Sequence, residues 1–253
     1  MKSFPALSFL TDVPLAFVLL TRWPMPRLPE AAFAQSARAV WAYSLVGGVL
    51  GLVACLCAAL ATTVGLPVSI AAGLTLAALM LSTGAMHEDG LADTLDGFWG
   101  GQDLRRRLEI MQDSQIGSFG TLGLIVVVLL RWAALAALLP IAPLAIIAAA
   151  SLSRAAMPIV MHVMPHARKD GLSRRVGRPS LGAVVAGVTL AVVVSFLTAG
   201  SAGLAALAAV LTVTAGIMAI ARAKIKGQTG DVLGATQQVS ELAALLCLVV
   251  VMT

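Results

Sequence analysis

The chain reads as a succession of long apolar runs separated by two kinds of break. Seven runs reach the length needed to cross about 30 Å of hydrocarbon. They cover residues 39–61, 68–86, 121–139, 142–161, 181–198, 204–221 and 235–252. The last is interrupted by Glu241. Ahead of them, residues 4–20 form a shorter apolar stretch broken by Asp12 and Pro14, followed by the proline-rich TRWPMPRLPE. Proline biases the preceding residue away from the helical region. This start therefore predicts an interfacial or re-entrant helix followed by an extended turn.

The runs are built on Leu, Val, Ala, Ile and Gly without strand-like alternation, which favours helices over a barrel. The expected fold is all-α: a polytopic integral membrane bundle of about seven transmembrane helices plus an N-terminal interfacial helix. No composition shift divides it, so residues 1–253 are expected to form a single membrane-embedded domain. Composition agrees, with 59% hydrophobic and 11% charged residues in 253. A soluble surface normally needs about 25% charged residues. The N-terminus lacks the pattern of a cleaved signal peptide, because Lys2 is its only early base and Asp12 and Pro14 interrupt the apolar stretch. Cys55, Cys57 and Cys247 all lie in apolar runs, where small core residues are expected rather than a disulfide or zinc framework.

The breaks sort by charge. TTVGLP, PIAP and TAGSAG are short and uncharged, whereas residues 22–38, 87–118, 166–180 and 222–234 are polar and hold most of the bases. Counting seven spans places all four polar connections on one face. Lys and Arg excess marks that face as cytoplasmic. The expectation is a multi-pass protein of the cell inner (cytoplasmic) membrane with its active-site loops on the cytoplasmic side. A net charge of +5 is assigned to orientation and lipid contact. Nucleic acid is excluded as a partner, since aromatics are 5% and the bases sit in separate short loops.

One polar connection carries unusual chemistry. In HEDGLADTLDGFWGG, residues 87–101, four of the first ten residues are acidic. If these residues continue the second membrane helix, Asp89, Asp93 and Asp96 fall within roughly 60° of one another, while His87 and Glu88 point elsewhere. Like charges on one strip repel, and a divalent cation is the simplest compensation. Carboxylates without Cys or clustered His favour a hard ion, Mg²⁺ before Zn²⁺. The bland alternative is a solvated loop of helix caps. Gly90, Gly97, Gly100 and Gly101 support a ligand site, because backbone can approach closely where side chains are missing.

Arg105, Arg106 and Arg107 follow, then Asp113. Arginine pairs bidentately with phosphate. Carboxylates, Mg²⁺ and arginine together suit a diphosphate and phosphoryl transfer, although the arginine triplet equally suits a positive-inside anchor. Arg154 lies in a membrane helix, where a charge needs a partner or a cavity, and substrate phosphate is one candidate. Arg131 has no obvious sequence partner, and structural pairing is its better reading. In HARKDGLSRRVGRP, residues 166–179, a phosphate clamp through Arg174 or Arg175 competes with lipid contact. Asp231 suits an N-cap, and Glu241 is costly inside its helix unless paired. His87 is placed between substrate binding and capping.

These residues resemble the cobalamin synthase family, also called adenosylcobinamide-GDP ribazoletransferase or cobalamin-5′-phosphate synthase. The likeness rests on H-x-D-G-L-A-D-T-x-D-G at 87–97, IMQDSQIGSFG at 110–120, LLTRWPMP at 19–26 and GQTGDVLGATQQVSE at 227–241. Glu88 stands where that family often has an apolar residue. The resemblance implies a Mg²⁺-dependent transferase that joins adenosylcobinamide-GDP to α-ribazole or α-ribazole 5′-phosphate with release of GMP. It implies Asp89, Asp93 and Asp96 as metal ligands, with Asp93, Asp96 or Asp113 in catalysis. The candidate substrate contacts are His87, Arg105, Arg154, Arg174, Asp231 and Glu241, and for Asp231 the resemblance favours a site role over the N-cap. Membrane lipid is an expected partner, and homo-oligomerisation is left open. Two other readings compete: a membrane phosphotransferase of the CDP-alcohol type, for which Asp93-Thr94-Leu95-Asp96-Gly97 has the D-x-x-D-G form, and an ion or solute transporter. A transporter should place acids near the membrane midplane and show repeat halves.

Overall fold

The computed structural model describes residues 7–253. Residues 4–6, the expected start of the first helix, lie outside them. Among the described residues the fold is helical throughout, with one isolated bridge between His166 and Gln228.

Helix α1 (Leu7–Leu20) contains Pro14 and packs on α3 (Ser36–Ala39) and α4 (Tyr43–Thr63). Its acid has a clear role. Buried Asp12 accepts hydrogen bonds from Arg38 Nη2 at 2.7 Å and Trp41 Nε1 at 3.1 Å. The short helix is thereby clamped to the start of the first long one. The proline-rich link holds only the single turn α2 (Glu30–Phe33), and a 3₁₀ turn, Val40–Ala42, leads into α4.

Helix α5 (Val68–Thr83) stops at Gly84 and Ala85, whose φ values are +64° and +56°. Left-handed residues end a helix by turning the chain off its axis. The next helix, α6 (Met86–Gly100), leaves at 87°. This corrects the expectation that residues 87–97 continue the second membrane helix. The acidic stretch is helical, but it forms its own element. Gly84 is also where the Arg22 stem packs, so a side chain there would collide with it.

Next come α7 (Leu104–Ile110), capped by Asp103, and then α8 (Ser118–Leu138), α9 (Ala145–Val163) and α10 (Leu172–Val176). The chain ends with α11 (Leu181–Ala199), α12 (Ala202–Ile225) and α13 (Gly230–Met252). The last helix begins five residues before the expected 235, because Thr229 accepts from the Val232 N–H and caps it.

Among the described residues, six helices are long and apolar enough to cross a membrane, and α5 with α6 makes a seventh if the bent pair is one span. The multi-pass helical architecture expected from the sequence is therefore present. Helix α9 forms the centre and is almost wholly buried, packed on α4, α11, α12 and α13. Small residues allow this. Gly47 and Gly51 of α4 lie directly on the α9 backbone at Ala150–Ser151 and Ile147. Close backbone approach is how membrane helices gain contact without a hydrophobic driving force. Leu56, Leu60, Leu122, Leu129, Phe196 and Val250 face outward and supply the apolar belt.

The polar connections gather at one end of the bundle. The Ala167 N–H donates to Gln228 O, and the Gln228 N–H donates to Pro165 O, so the α9–α10 and α12–α13 connections pair like two short strands. Arg107 Nη1 donates to Lys224 O at 3.0 Å.

Candidate active site

The site begins where two helix starts cross. A Cβ at Gly90 of α6 would lie 2.9 Å from Asp231 O, and one at Gly234 of α13 would lie 3.1 Å from His87 O. Only glycine lets these backbones approach so closely. The crossing brings His87 and Asp89 beside Asp231 along one cleft of about 190 Å³. His166, Arg168, Asp170, Arg174 and Gln228 also line it.

The charges in this cleft are opposed and close. Arg168 Nη2 lies 3.0 Å from Asp231 Oδ2, which also accepts from Thr229 Oγ1 at 3.2 Å. Gln228 is buried and fixed at both ends of its amide. Ser173 Oγ donates to its Oε1 at 2.7 Å, and its Nε2 lies 2.9 Å from His166 Nδ1. Burial, and then the neighbouring Arg174 charge, hold the His166 pKa below the ordinary histidine range. His166 is thus neutral at pH 7, and its Nδ1 accepts the amide proton. His87 is 1% exposed, lines the cleft, and its Nε2 has no partner among the described residues. A buried ring nitrogen left unpaired on a cleft is a ready contact for a ligand.

Asp89 also lines a second cleft, of about 540 Å³, with Glu88, Asp93 and Asp113. Asp93 is half-buried and lies within electrostatic range of Asp89, Asp231, Arg168 and Asp96. Asp113 is exposed and accepts from the Gln115 N–H at 3.1 Å. Among the described residues no three Asp, Glu, His or Cys side chains are grouped closely enough to hold a metal unaided. Mg²⁺ usually keeps several waters and takes only one or two carboxylates plus substrate phosphates. The donor chemistry of Asp89, Asp93 and Asp231 fits such a partial site.

The structure separates Asp96 from the other two acids of its strip. Asp96 is buried, and its oxygens accept from the Gly117 and Gly120 N–H groups at 2.7 and 2.9 Å. It therefore seats the N-terminus of α8, where unpaired N–H groups and the helix dipole favour an anion. Gly117 and Gly120 leave room for that carboxylate. The expected role of the α6 glycines changes accordingly. Gly90 faces α13, while Gly97 and Gly101 pack on Met111 and Arg107, so helix and loop backbone, rather than a ligand, occupies the space beside them.

Three other candidates lie away from the cleft. Arg105 projects from α7, 83% exposed and paired with Glu109 at 2.9 Å. Arg154 and Glu241 are each 2% exposed inside the bundle. There Glu241 pairs with Arg131 and, at 3.4 Å, with Arg154, while Arg131 Nη1 also reaches Glu88 Oε1 at 3.1 Å and Gln238 Oε1 at 2.6 Å. The sequence offered Arg131 no partner because Glu88 and Glu241 lie far off along the chain. Glu88 and Glu241 are the buried acids that a transporter reading would use. Their pairing with arginine marks a structural knot rather than an open ion path. Sequence reasoning passed over Arg168, Gln228 and His166. The signal that could have found Arg168 was the need of Asp231 for a cation.

The model of the cobalamin-5-phosphate synthase family matches residues 12–249, nearly the whole described chain. The chain belongs to that family. The adenosylcobinamide-GDP ribazoletransferase of Mesorhizobium japonicum is 40% identical over 239 residues, covering 94% of this chain and 92% of its own. The proteins of the same name from Brucella ovis and Brucella abortus are 39% identical over 244 residues, covering 91% of this chain and 93% of theirs. No solved structure matches. All four segments that carried the resemblance fall inside the matched region. Two of them, HEDGLADTLDG and GQTGDVLGATQQVSE, supply the crossing helix starts that bring Asp89 beside Asp231.

Proposed function

We propose that this membrane protein is an adenosylcobinamide-GDP ribazoletransferase, a transferase of cobalamin synthesis that works at the inner membrane with its polar loops in the cytoplasm. A hydroxyl of α-ribazole, or of its 5′-phosphate, attacks the cobinamide-side phosphorus of adenosylcobinamide-GDP. A new P–O bond forms, the bond to the GMP oxygen breaks, and GMP leaves. The hydroxyl proton passes to a carboxylate, with Asp93 and Asp113 as the candidates on the acidic cleft.

One observation carries this reading. Asp89, Asp93 and Asp231 stand against Arg168 and Arg174 where three separate polar connections meet. That arrangement suits a diphosphate, because the acids hold a hard cation while the guanidinium groups take phosphate oxygens directly. Mg²⁺, held by Asp89 and Asp93 with Asp231 alongside, would supply charge neutralisation for the diphosphate. Arg168 balances Asp231 and limits repulsion among the acids. His87, whose buried Nε2 has no partner among the described residues, and Arg174 also line the cleft. Orientation by these groups accounts for much of the rate in such transfers.

The test is GMP release by membranes containing the protein, given adenosylcobinamide-GDP, α-ribazole and Mg²⁺, with and without chelator. Chelation is expected to abolish release, and Asp93→Asn to lower turnover by about 10²–10³-fold while weakening Mg²⁺ dependence. Chelator-resistant turnover would refute the metal assignment. Absence of GMP would refute the activity.

A further inference from the structure

A second cavity, of about 500 Å³, adjoins the active-site cleft and has a different character. The two share Leu19, Met86, Leu172 and Val176, apolar residues that line both. No carboxylate lines the second cavity, in contrast to both acidic clefts. The hydroxyls of Thr21, Ser36 and Thr83, which do line it, are donated to main-chain carbonyls of Phe17, Phe33 and Leu79. Two charged groups remain, Arg22 and Arg175. Both are exposed, and neither guanidinium has a hydrogen-bond or ion-pair partner among the described residues.

Elsewhere among the described residues Arg174 also lacks a partner, but on a cleft that carboxylates line with it, and the other arginines that face a site or the interior are committed. Arg38, Arg107, Arg131, Arg154 and Arg168 all hold a carboxylate or a main-chain carbonyl. Two uncommitted arginines over apolar walls, with no acid to hold a cation, suit one class of ligand. It is an anion that binds without a metal and carries an apolar body, which is a phosphomonoester of an apolar ring system or the headgroup of an anionic lipid.

We propose that this cavity is the acceptor subsite, in which Arg22 and Arg175 take the 5′-phosphate of α-ribazole 5′-phosphate while the apolar walls take its base. The assignment rests on the transferase reading above and adds to it a site for the phosphate that does not react. The ribose hydroxyl and the 5′-phosphate belong to one sugar, so the site for the phosphate must flank the reacting centre. A cavity that shares four lining residues with the acidic cleft has that placement. Arg22 is held in position by its stem on Gly84, the residue at which α5 ends.

The test is equilibrium binding to the purified full-length protein in EDTA, without nucleotide, in nanodiscs of phosphatidylcholine alone or with phosphatidylglycerol. Binding of α-ribazole 5′-phosphate is expected to be metal-independent, competed by inorganic phosphate, and at least about tenfold tighter than that of α-ribazole, as loss of a charge-assisted contact implies. Arg175→Gln should erase this preference and Arg175→Lys restore part of it, with unchanged size-exclusion profiles showing that the variants fold. Equal binding of the two acceptors by the wild type, or an undiminished preference in Arg175→Gln, would overturn the proposal. So would loss of the preference in phosphatidylglycerol nanodiscs, which would give the cavity to lipid. A wild type that binds the phosphorylated acceptor selectively but releases no GMP would overturn the transferase reading and leave the subsite standing.

Discussion

At the scale of single residues, three aspartates one helical turn apart have different work. Asp96 accepts two main-chain N–H groups at the start of α8, whereas Asp89 and Asp93 face the clefts. Asp96→Asn removes the charge from a helix N-terminus and one of two acceptor oxygens, a loss of about 1–2 kcal/mol. The expected outcome is a lower melting temperature with the Mg²⁺ dependence of the residual activity unchanged. Asp93→Asn should do the reverse. Titrating Mg²⁺ against turnover and Tm for both variants separates the roles. The interior knot predicts a larger effect. Glu241→Gln leaves two buried guanidinium groups without their shared carboxylate, and breaking a buried pair costs about 3–5 kcal/mol. Thermal unfolding in detergent should show that loss, and Arg105→Ala, on the exposed face of α7, should show almost none.

At the scale of elements, the site is a crossing of two helix starts, and its tolerance is set by backbone contact. Gly90→Ala would press a methyl group on the Asp231 main chain, which has no flexible end to yield. Overpacking of this kind costs about 1–3 kcal/mol. Because the displaced residue is Asp231 itself, activity should fall further than stability. Comparing GMP release with Tm for Gly90→Ala checks this. The pairing of the two connections through His166 and Gln228 adds a pH dependence. The folded His166 pKa is lowered, so its contribution to stability is present above the ordinary histidine pKa and is lost as pH falls through the lowered value. Hydrogen exchange at the Ala167 and Gln228 amides, corrected for intrinsic rates, should lose protection as the solution is acidified. His166→Asn should flatten that response.

At the scale of the whole molecule, the charged connections sit at one end of the bundle, and the links at 64–67, 139–144 and 200–201 carry no charge. With the charged end cytoplasmic, a cysteine at Ser114 should resist a membrane-impermeant maleimide in intact cells, and one at Ser201 should react. The opposite labelling pattern would invert the topology. Much of this architecture was legible along the chain, because hydrocarbon imposes a minimum apolar length and leaves a periodic record. The acids near residue 90 and the bases near residue 170 were legible as chemistry for the same reason, being expensive beside a membrane and therefore conspicuous. Pairings across long separations left no such record. That Asp231 meets Asp89, that Arg131 joins Glu88 to Glu241, and that Asp96 turns away to α8 depended on an 87° break at Gly84 and on glycines that set which helices touch. Sequence determined how many helices could cross and which residues were chemically able to act. Tertiary structure alone decided which of them share a cleft, because partnership between charges depends on distance in space and the chain records only distance along itself.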